Sequence, residues 1–204
     1  MKPILFSTPM VQAIMDGRKT MTRRVIKDVP SEYDFTGRVI ATNEDNRRLK
    51  GCLSFGFDNA PDIYISPLYE PGDVLWVRET WQTVPSESGD GYAYVYKASD
   101  NGQDWQNNTE GWTWRPSIFM PKKATRIFLK VKGVWAERVQ EISREDVIGE
   151  GFRINSPAIF SKGYKGAFQL LWDSLNAKRG YGWDSNPWVW VISFERCYKP
   201  EQED

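Results

Sequence analysis

The sequence predicts one α+β domain over residues 1–204, built as a small barrel of mixed strands with about three short helices and two loop insertions. Segments rich in β-branched and aromatic residues recur along the whole chain, whereas apolar residues at helical spacing occur in only a few short stretches. The strands do not alternate regularly with long helices, which argues against a doubly wound sheet. A small mixed or antiparallel barrel fits this pattern.

The N-terminal segment contains a strand, a helix and a second strand. The apolar residues 3–6 form the first strand, and the helix that follows has Pro9 in its first turn. Gly17 ends this helix as its left-handed cap. The β-branched residues between 20 and 26 then predict the second strand.

Two loop insertions interrupt the middle of the chain. Residues 28–70 are polar and rich in Gly, Pro, Asn and Asp, and we interpret them as an insertion with one or two short strands. Strands are predicted at 74–77 and 92–96, because both segments are apolar or alternate regularly. Residues 99–113 form the second insertion, which is polar but contains several tryptophans.

The C-terminal part combines long strands with two helices. Residues 124–142 form a strand pair or one bent strand, and Ser143 then caps a short helix with Asp146 in position for a capping box. Apolar residues at helical spacing predict a further helix over about 164–176. Residues 188–194 are too apolar for the edge of a sheet.

The charge balance and the lack of histidine limit the possible functions. Lys plus Arg and Asp plus Glu are equal at 27 each, whereas proteins that wrap nucleic acid non-specifically are usually strongly basic. A nucleic-acid contact would therefore be a local patch. Without histidine, the chain can form no Ser–His–Asp triad, Cys–His dyad or histidine metal site. A general base must come from Lys, Asp, Glu, Tyr or a terminal amine.

The cysteines and the N-terminal sequence predict a cytoplasmic protein. Cys52 and Cys197 are far apart and form neither a disulfide framework nor a zinc pattern. We see no signal peptide and no apolar run long enough to cross a membrane. We therefore expect a reducing compartment, no membrane contact, no metal and no cofactor.

Five stretches of the chain, taken in order, resemble one known family. They are LFSTPMVQAIMDGRKTMTRR, PGDVLWVRETW, ISREDVIGEGF, LWDSLN and NPWVWVISFE. Together they resemble the ASCH domains of the PUA-like superfamily, most closely a long-insert subgroup found in bacteriophages and prophages. The resemblance implies a PUA-like pseudo-β-barrel with helices at its openings, and binding of RNA or modified nucleobases. It covers the chain apart from residues 28–70 and 99–113.

One ASCH branch is enzymatic, and its motif is similar to part of this sequence. Bacterial N4-acetylcytidine amidohydrolases resemble the segment GRKTMT and carry a Lys-x-x-Thr pair with a downstream glutamate. The resemblance places this pair on Lys19 and Thr22, and the glutamate on Glu150. Other ASCH proteins are linked to RNA cleavage, so the family does not fix one reaction.

Acyl transfer is chemically reasonable for these three side chains. A threonine hydroxyl is a weak nucleophile and needs a base, and a lysine whose pKa is lowered by burial or by neighbouring cations could serve. Arginines 18, 23 and 24 are near enough in the sequence to lower the pKa of Lys19. Glu150 could orient the lysine or pass a proton to the leaving amine.

Strand geometry argues against this site. In a straight strand, Lys19 and Thr22 face opposite sides, whereas Thr20, Thr22 and Arg24 share one face. Lys19 can join Thr22 only if the chain bends after Gly17. The alternative is that Lys19 and the arginines form a solvated rim and Thr22 is an ordinary strand residue.

Further ligand contacts are predicted in two places. The residues predicted around the Lys–Thr pair are Arg18, Thr20, Arg23 and Arg24. The second group lies at the end of the strand at 74–77, where Arg78 or Glu79 would contact the ligand and Trp81 would stack on it. The alternative for this group is a salt bridge that closes the strand end.

Three functions remain open at this stage. The chain could bind RNA, a nucleoside or a modified nucleobase without catalysis. It could be an amidohydrolase that deacylates N4-acetylcytidine-like nucleosides. It could also be a phage protein that binds a host protein through the Trp-rich loop 99–116, because tryptophan is enriched at binding hot spots.

Overall fold

The computed structural model describes residues 1–30, 32–38, 52–86, 89, 91–99 and 113–200. The predicted α+β class is confirmed, and the described part contains three α-helices. The helices are α1 (Thr8–Met15), α2 (Arg144–Gly149) and α3 (Pro157–Asn176). The strands are β1 (Lys2–Leu5), β2 (Met21–Val25), β3 (Asp34–Arg38), β4 (Leu53–Gly56), β5 (Ile63–Ile65), β6 (Val74–Arg78), β7 (Trp81–Pro85), β8 (Tyr92–Tyr96), β9 (Phe128–Arg138) and β10 (Trp188–Cys197).

A five-stranded mixed sheet forms the centre of the molecule, with the strand order β1-β6-β9-β10-β2. The β1–β6 pair is parallel and the other pairs are antiparallel. Because β1 and β2 occupy opposite edges, the sheet is not closed into a barrel within the described residues. The side chain of Arg24 in β2 reaches across to β1 and donates to the Leu5 carbonyl at 2.9 Å.

Both faces of the central sheet are covered, which explains the apolar character of β10. Trp190 and Ile192 point into the larger core, while Val189 and Val191 point into a second core with α2 and α3. Alternate residues of a strand face opposite sides, so a strand covered on both faces is apolar throughout. The prediction that this strand is not an edge is confirmed, because β10 lies between β9 and β2.

The segment predicted as a strand pair or a bent strand is one continuous strand, β9. Its register with β10 shifts between Ser193 and Phe194, where Lys132 has no direct partner. Such a bulge bends a strand and increases its twist. The bent-strand alternative is therefore the correct one.

The first insertion contains more structure than predicted. It forms a three-stranded antiparallel sheet, β3-β4-β5, instead of one or two strands. This sheet packs on the main core, where the rings of Phe55 and Trp188 lie 5.3 Å apart. The prediction underestimated residues 28–70 because short apolar groups such as Leu53 and Phe55 are separated there by polar residues.

Strand β7 was not predicted, although its partner β8 was. The two strands form a separate hairpin. Residues 100–112 of the second insertion lie outside the described residues, so the predicted Trp-rich contact surface remains a prediction.

Helix α3 begins earlier than predicted. It starts at Pro157, and Ser156 caps it by accepting a hydrogen bond from the Ile159 N–H at 3.4 Å. Gly163 has non-helical angles (φ 68°, ψ 179°) and divides α3, so the predicted helix at 164–176 corresponds to its second part. None of the helices in the described part of the chain is long and apolar enough to cross a membrane.

Candidate functional site

A cavity of about 930 Å³ lies at the open side of the central sheet. Its walls include residues of both edge strands, the start of α1, the end of α3 and the C-cap of α2. We call it the edge cavity and define it by Phe6, Thr22, Arg24, Tyr69, Glu150 and Trp172. It exists because β1 and β2 do not pair with each other, and the gap between them is only partly filled by side chains.

Lys19 and Glu150 form a buried ion pair beside this cavity. The Lys19 Nζ lies 2.7 Å from Glu150 Oε2 and also donates to the Glu150 carbonyl at 2.9 Å. The side chain of Lys19 is 0% exposed and that of Glu150 is 4% exposed. Their backbones also form an isolated antiparallel bridge. The two predicted catalytic residues with opposite charge are thus in direct contact.

The bend required by the sequence argument is present after Gly17. Gly17 has φ +73°, a left-handed conformation that glycine adopts at no steric cost, as predicted for the helix cap. Lys19 then precedes β2 and pairs with Glu150 instead of continuing that strand. Lys19 Nζ and the Arg24 guanidinium both lie over the Phe6 ring, at 5.7 and 5.3 Å. Residues five positions apart in a straight strand would face opposite sides, so the bend brings Lys19 to the face of Arg24.

Thr22 lies on β2 opposite Ile192, is 1% exposed and lines the edge cavity together with Glu150. Among the described residues, no hydrogen bond joins Lys19 Nζ to Thr22 Oγ1, because the amine is directed to Glu150. The three predicted catalytic residues therefore surround one region, and two of them are in contact.

Arg23 contacts three carboxylates, including the oxygen of Glu150 that does not pair with Lys19. Its guanidinium donates to Glu137 Oε1 at 2.6 and 2.9 Å and to Asp146 Oδ2 at 2.8 Å. It also approaches Glu150 Oε1 at 3.4 Å. Asp146 is a member of the capping box at the start of α2, so one arginine fixes both ends of that short helix.

Burial lowers the pKa of Lys19 from its ordinary value, because the protonated amine has lost its water. The charge and hydrogen bond of Glu150 oppose this effect, while Arg24 and Arg23 add to it. A lysine with a lowered pKa loses its proton more easily, which favours the neutral amine that a general base requires. The predicted influence is thus present for Arg24 and Arg23 but not for Arg18, and it is smaller than that of burial.

The basic run of residues 18–24 is divided between two cavities. Arg18 and Thr20 line a second cavity of about 770 Å³ next to α2, whereas Thr22, Arg23 and Arg24 line the edge cavity. Arg18 is paired with Asp16 at 2.8 Å and donates to the Gly151 carbonyl. The structure therefore does not bring Arg18 and Thr20 to the cavity of Thr22.

The second predicted ligand group forms a separate cluster. Glu79 is 1% exposed and pairs in a bidentate manner with Arg126, at 2.9 and 2.8 Å. Trp81 is buried and stacks with Arg115, whose guanidinium lies 5.2 Å from the ring centroid. Arg78 lies over Trp76 at 5.3 Å and donates to the Ile118 carbonyl. The geometry of Glu79 corresponds to the salt-bridge alternative.

Several residues of the site carried no signal in the sequence. Tyr69 lies within the first insertion and donates to the Pro3 carbonyl at 2.7 Å. Glu137 is distant from Arg23 along the chain, and nothing local identifies it as a partner. Asp146 could be found as a capping residue, but its contact with Arg23 could not. Within the described residues, no three His, Cys, Asp or Glu side chains are grouped so as to hold a metal ion.

Comparisons with known proteins add no relatives to this description. No family model matches the chain. No curated protein and no solved structure matches it either.

Proposed function

We propose that the edge cavity binds a nucleobase or nucleoside, with a modified base as the preferred ligand. The supporting observation is the composition of its wall, where Glu150, Arg24, Tyr69 and Trp172 line one cavity. Arginine and carboxylate side chains form hydrogen bonds with the edges of bases, and aromatic rings pack on their faces. The volume of 930 Å³ lies within the range of about 300–1,000 Å³ typical of small-molecule sites.

The resemblance to ASCH domains supports the same class of ligand, and membership of that family is part of the proposal. A base at the end or in a loop of single-stranded RNA is the alternative form of the ligand, because unstacked bases can enter such cavities. Both described cysteines are free thiols, which is consistent with the cytoplasmic location that we propose.

Binding can be tested with a variant that fills the cavity. Ser174 lies on α3 at the cavity wall and is exposed, so Ser174→Trp should obstruct ligand entry. Ser161→Trp is the matched control, because Ser161 is an exposed serine of the same helix outside the cavity wall, and both hydroxyls donate to the carbonyl three residues earlier.

Calorimetric titration with cytidine, N4-acetylcytidine and a short single-stranded RNA provides the measurement. We expect Ser174→Trp to weaken binding by at least about tenfold, equal to about 1.4 kcal/mol, and Ser161→Trp to bind like the wild type. Equal affinities for the two variants, or no binding of any of the three ligands, would show that the edge cavity is not a nucleoside site.

A second candidate function, amide hydrolysis, is favoured by the buried Lys19–Glu150 pair beside Thr22. In this reaction neutral Lys19 takes the proton of the Thr22 hydroxyl, and the Thr22 oxygen attacks the acyl carbon. The bond between the acyl carbon and the nitrogen breaks, and the amine leaves with the proton from Lys19. Water then hydrolyses the acyl-threonine ester, so that one amide and one water yield an amine and an acid.

This candidate requires substrate binding to bring Lys19 Nζ within reach of Thr22, since both hydrogen bonds of the amine are directed to Glu150 without a ligand. Catalytic hydrogen bonds commonly tighten only in the substrate complex. Glu150 would then hold the lysine in place and stabilise its transient positive charge.

The reaction is tested by incubating the protein with N4-acetylcytidine and measuring the loss of the acetyl group by chromatography. We expect turnover by the wild type and by Thr83→Ala, a control threonine on β7, and a loss of at least about 100-fold in Thr22→Ala and Lys19→Met. Wild-type turnover no faster than that of Thr22→Ala would eliminate the amidohydrolase candidate and leave the binding proposal intact.

A further inference from the structure

We propose that the ligand of the edge cavity carries a phosphate ester and that Arg24 is its anion contact. The inference rests on the proposed nucleoside site and extends it to a nucleotide, either as a mononucleotide or as part of a short RNA. It comes from the charges that face the cavity, which are not balanced although the whole chain has a net charge of zero.

Three cations line the cavity without a salt bridge among the described residues. They are Arg24, Lys27 and Arg179, and none of them forms a salt bridge among the described residues. The acidic residue of the cavity wall, Glu150, is already paired with Lys19 and approached by Arg23. The cavity therefore presents excess positive charge to a ligand.

Arg24 is the cation whose side chain is held in place by the most contacts. Its side chain is half-buried, and its guanidinium lies over the Phe6 ring and donates to the backbone carbonyls of Leu5 and Arg23 at 2.9 and 3.4 Å. A guanidinium has five N–H donors in a planar fork that matches a phosphate, so donors remain for a ligand. Burial lowers the pKa of Arg24, and the charge of Glu150 opposes this effect only in part, so a bound anion would replace solvation that the guanidinium has lost.

Lys27 and Arg179 extend this positive charge along the cavity wall. Both are exposed, and they lie on different segments, after β2 and after α3. The cavity also exceeds the size of one nucleoside, so a phosphate and part of a second nucleotide can occupy it together with a base. An exposed pair of cations is suited to a flexible, solvated phosphate, whereas Arg24 is suited to a fixed one.

The experiment compares ligands that differ only in phosphate. Cytidine, cytidine 5′-monophosphate, the dinucleoside phosphate of two cytidines and inorganic phosphate are titrated into the wild type, Arg24→Gln, Arg24→Lys, and the double variant Lys27→Gln/Arg179→Gln. Lys162→Gln, an exposed lysine of α3 outside the cavity wall, controls for the loss of one positive charge. Circular dichroism and thermal melting establish that each variant is folded.

We expect the wild type and Lys162→Gln to bind a phosphorylated ligand at least about tenfold more tightly than cytidine. Arg24→Gln should lose this preference, and Arg24→Lys should retain part of it because the charge remains. Added salt should weaken binding of the phosphorylated ligand and leave that of cytidine nearly unchanged. Preference for the dinucleoside phosphate over the monophosphate would identify RNA as the source of the phosphate.

Other outcomes separate the two proposals. Equal binding of cytidine and its phosphorylated forms would overturn the anion contact while the nucleoside proposal stands. A phosphate preference that persists at full strength in a folded Arg24→Gln variant would also overturn it. If no nucleoside or nucleotide binds, the effect of inorganic phosphate on the melting temperature decides whether the anion site exists. A rise in the wild type that is lost in Arg24→Gln supports the anion site alone. If phosphate causes no such rise, the anion site is rejected. If Arg24→Gln does not fold, Arg24→Lys and the double variant supply the comparison.

Discussion

At the scale of single residues, the unusual feature is the burial of several charged side chains in a small region. Removing an ammonium and a carboxylate from water costs several kcal/mol per ion, and their attraction repays this cost only with good geometry. Lys19 and Glu150 achieve such geometry at 2.7 Å. Buried ion pairs contribute little net stability, so a pair beside a cavity is more consistent with a functional role.

The lowered pKa of Lys19 predicts a pH dependence of stability. The amine has a lower pKa in the folded protein than the ordinary value of 10.5 expected for the unfolded chain. Folding is therefore penalised at pH values below the folded pKa, and the penalty disappears as the pH rises from the folded pKa to 10.5. The free energy of unfolding of the wild type should thus rise over this range relative to Lys19→Met.

Urea unfolding of the wild type, Lys19→Met and Thr22→Ala at a series of pH values measures this effect. Thr22→Ala is the control because it changes a buried neighbour without removing a titrating amine, so its difference from the wild type should not vary with pH. A constant difference between the wild type and Lys19→Met across the alkaline range would contradict the lowered pKa.

At the scale of elements, the short helix α2 determines the position of Glu150. The helix begins with a capping box in which Ser143 Oγ accepts from the Asp146 N–H at 3.1 Å and Asp146 accepts from the Ser143 N–H at 3.2 Å. It ends at Glu150, its C-cap residue. A helix of this length is not stable alone, so its cap and its contact with Arg23 hold the glutamate in position.

The capping hydrogen bond predicts a measurable loss of stability. Ser143→Ala should lower the free energy of unfolding by about 0.5–2 kcal/mol, because the N–H of Asp146 loses its partner. Ser7→Ala is the matched control, since Ser7 occupies the same position in α1 without a side-chain capping bond. Chemical denaturation should show a clear shift for the first variant and little for the second. Equal losses in the two variants would mean that the side-chain capping bond of α2 does not contribute to the free energy of unfolding.

The turn after α2 predicts a second effect at this scale. Gly151 has φ +102°, and a Cβ added there would lie 2.8 Å from Ala13 Cβ and 3.2 Å from Lys19 Cβ. Gly180 also has a positive φ, +84°, but a Cβ there would meet no atom within 4 Å. Both alanine variants carry backbone strain, and only Gly151→Ala adds a steric clash next to the ion pair.

Gly151→Ala should therefore be less stable than Gly180→Ala by about 1–3 kcal/mol, the typical cost of overpacking. Thermal melting of the two variants provides the comparison. A melting temperature for Gly151→Ala equal to or above that of Gly180→Ala would show that the contact between this turn and α1 is looser than described.

At the scale of the whole molecule, the open edge of the central sheet creates the cavity, and two cores hold the sheet in place. The larger core includes buried residues of β1 and α1, and the smaller core includes buried residues of α2 and α3. Leu129 is fully buried on β9 and belongs to the larger core. A substitution there should destabilise the entire fold, including the strands that frame the cavity.

Leu129→Ala should reduce the free energy of unfolding by about 2–5 kcal/mol, because it removes buried methyl groups and leaves a cavity. Leu170→Ala, on the exposed face of α3, should change it by less than about 0.5 kcal/mol. Urea denaturation followed by tryptophan fluorescence measures both. A loss below 1 kcal/mol for Leu129→Ala would indicate that the core collapses around the missing side chain.

The sequence alone determined the elements that depend on local signals. The left-handed cap at Gly17, the capping box at Ser143, the second part of α3 and the buried strand β10 were all predicted, because each depends on residue types within one turn or one strand. The α+β class followed from the number and spacing of these elements. At least one of the three strands in the first insertion and the strand β7 were missed, because the local periodicity of these short segments is weak.

Only the tertiary structure decided how the candidate site is assembled. Lys19 and Glu150 are separated by 131 positions, and no local pattern specifies that their side chains meet. Likewise, the same basic run supplies Arg18 to one cavity and Arg24 to another, because the chain bends between α1 and β2. Periodicity determines which face of an element a residue occupies. Which distant element covers that face is set by packing of the whole chain, and this packing left β1 and β2 apart to form the cavity.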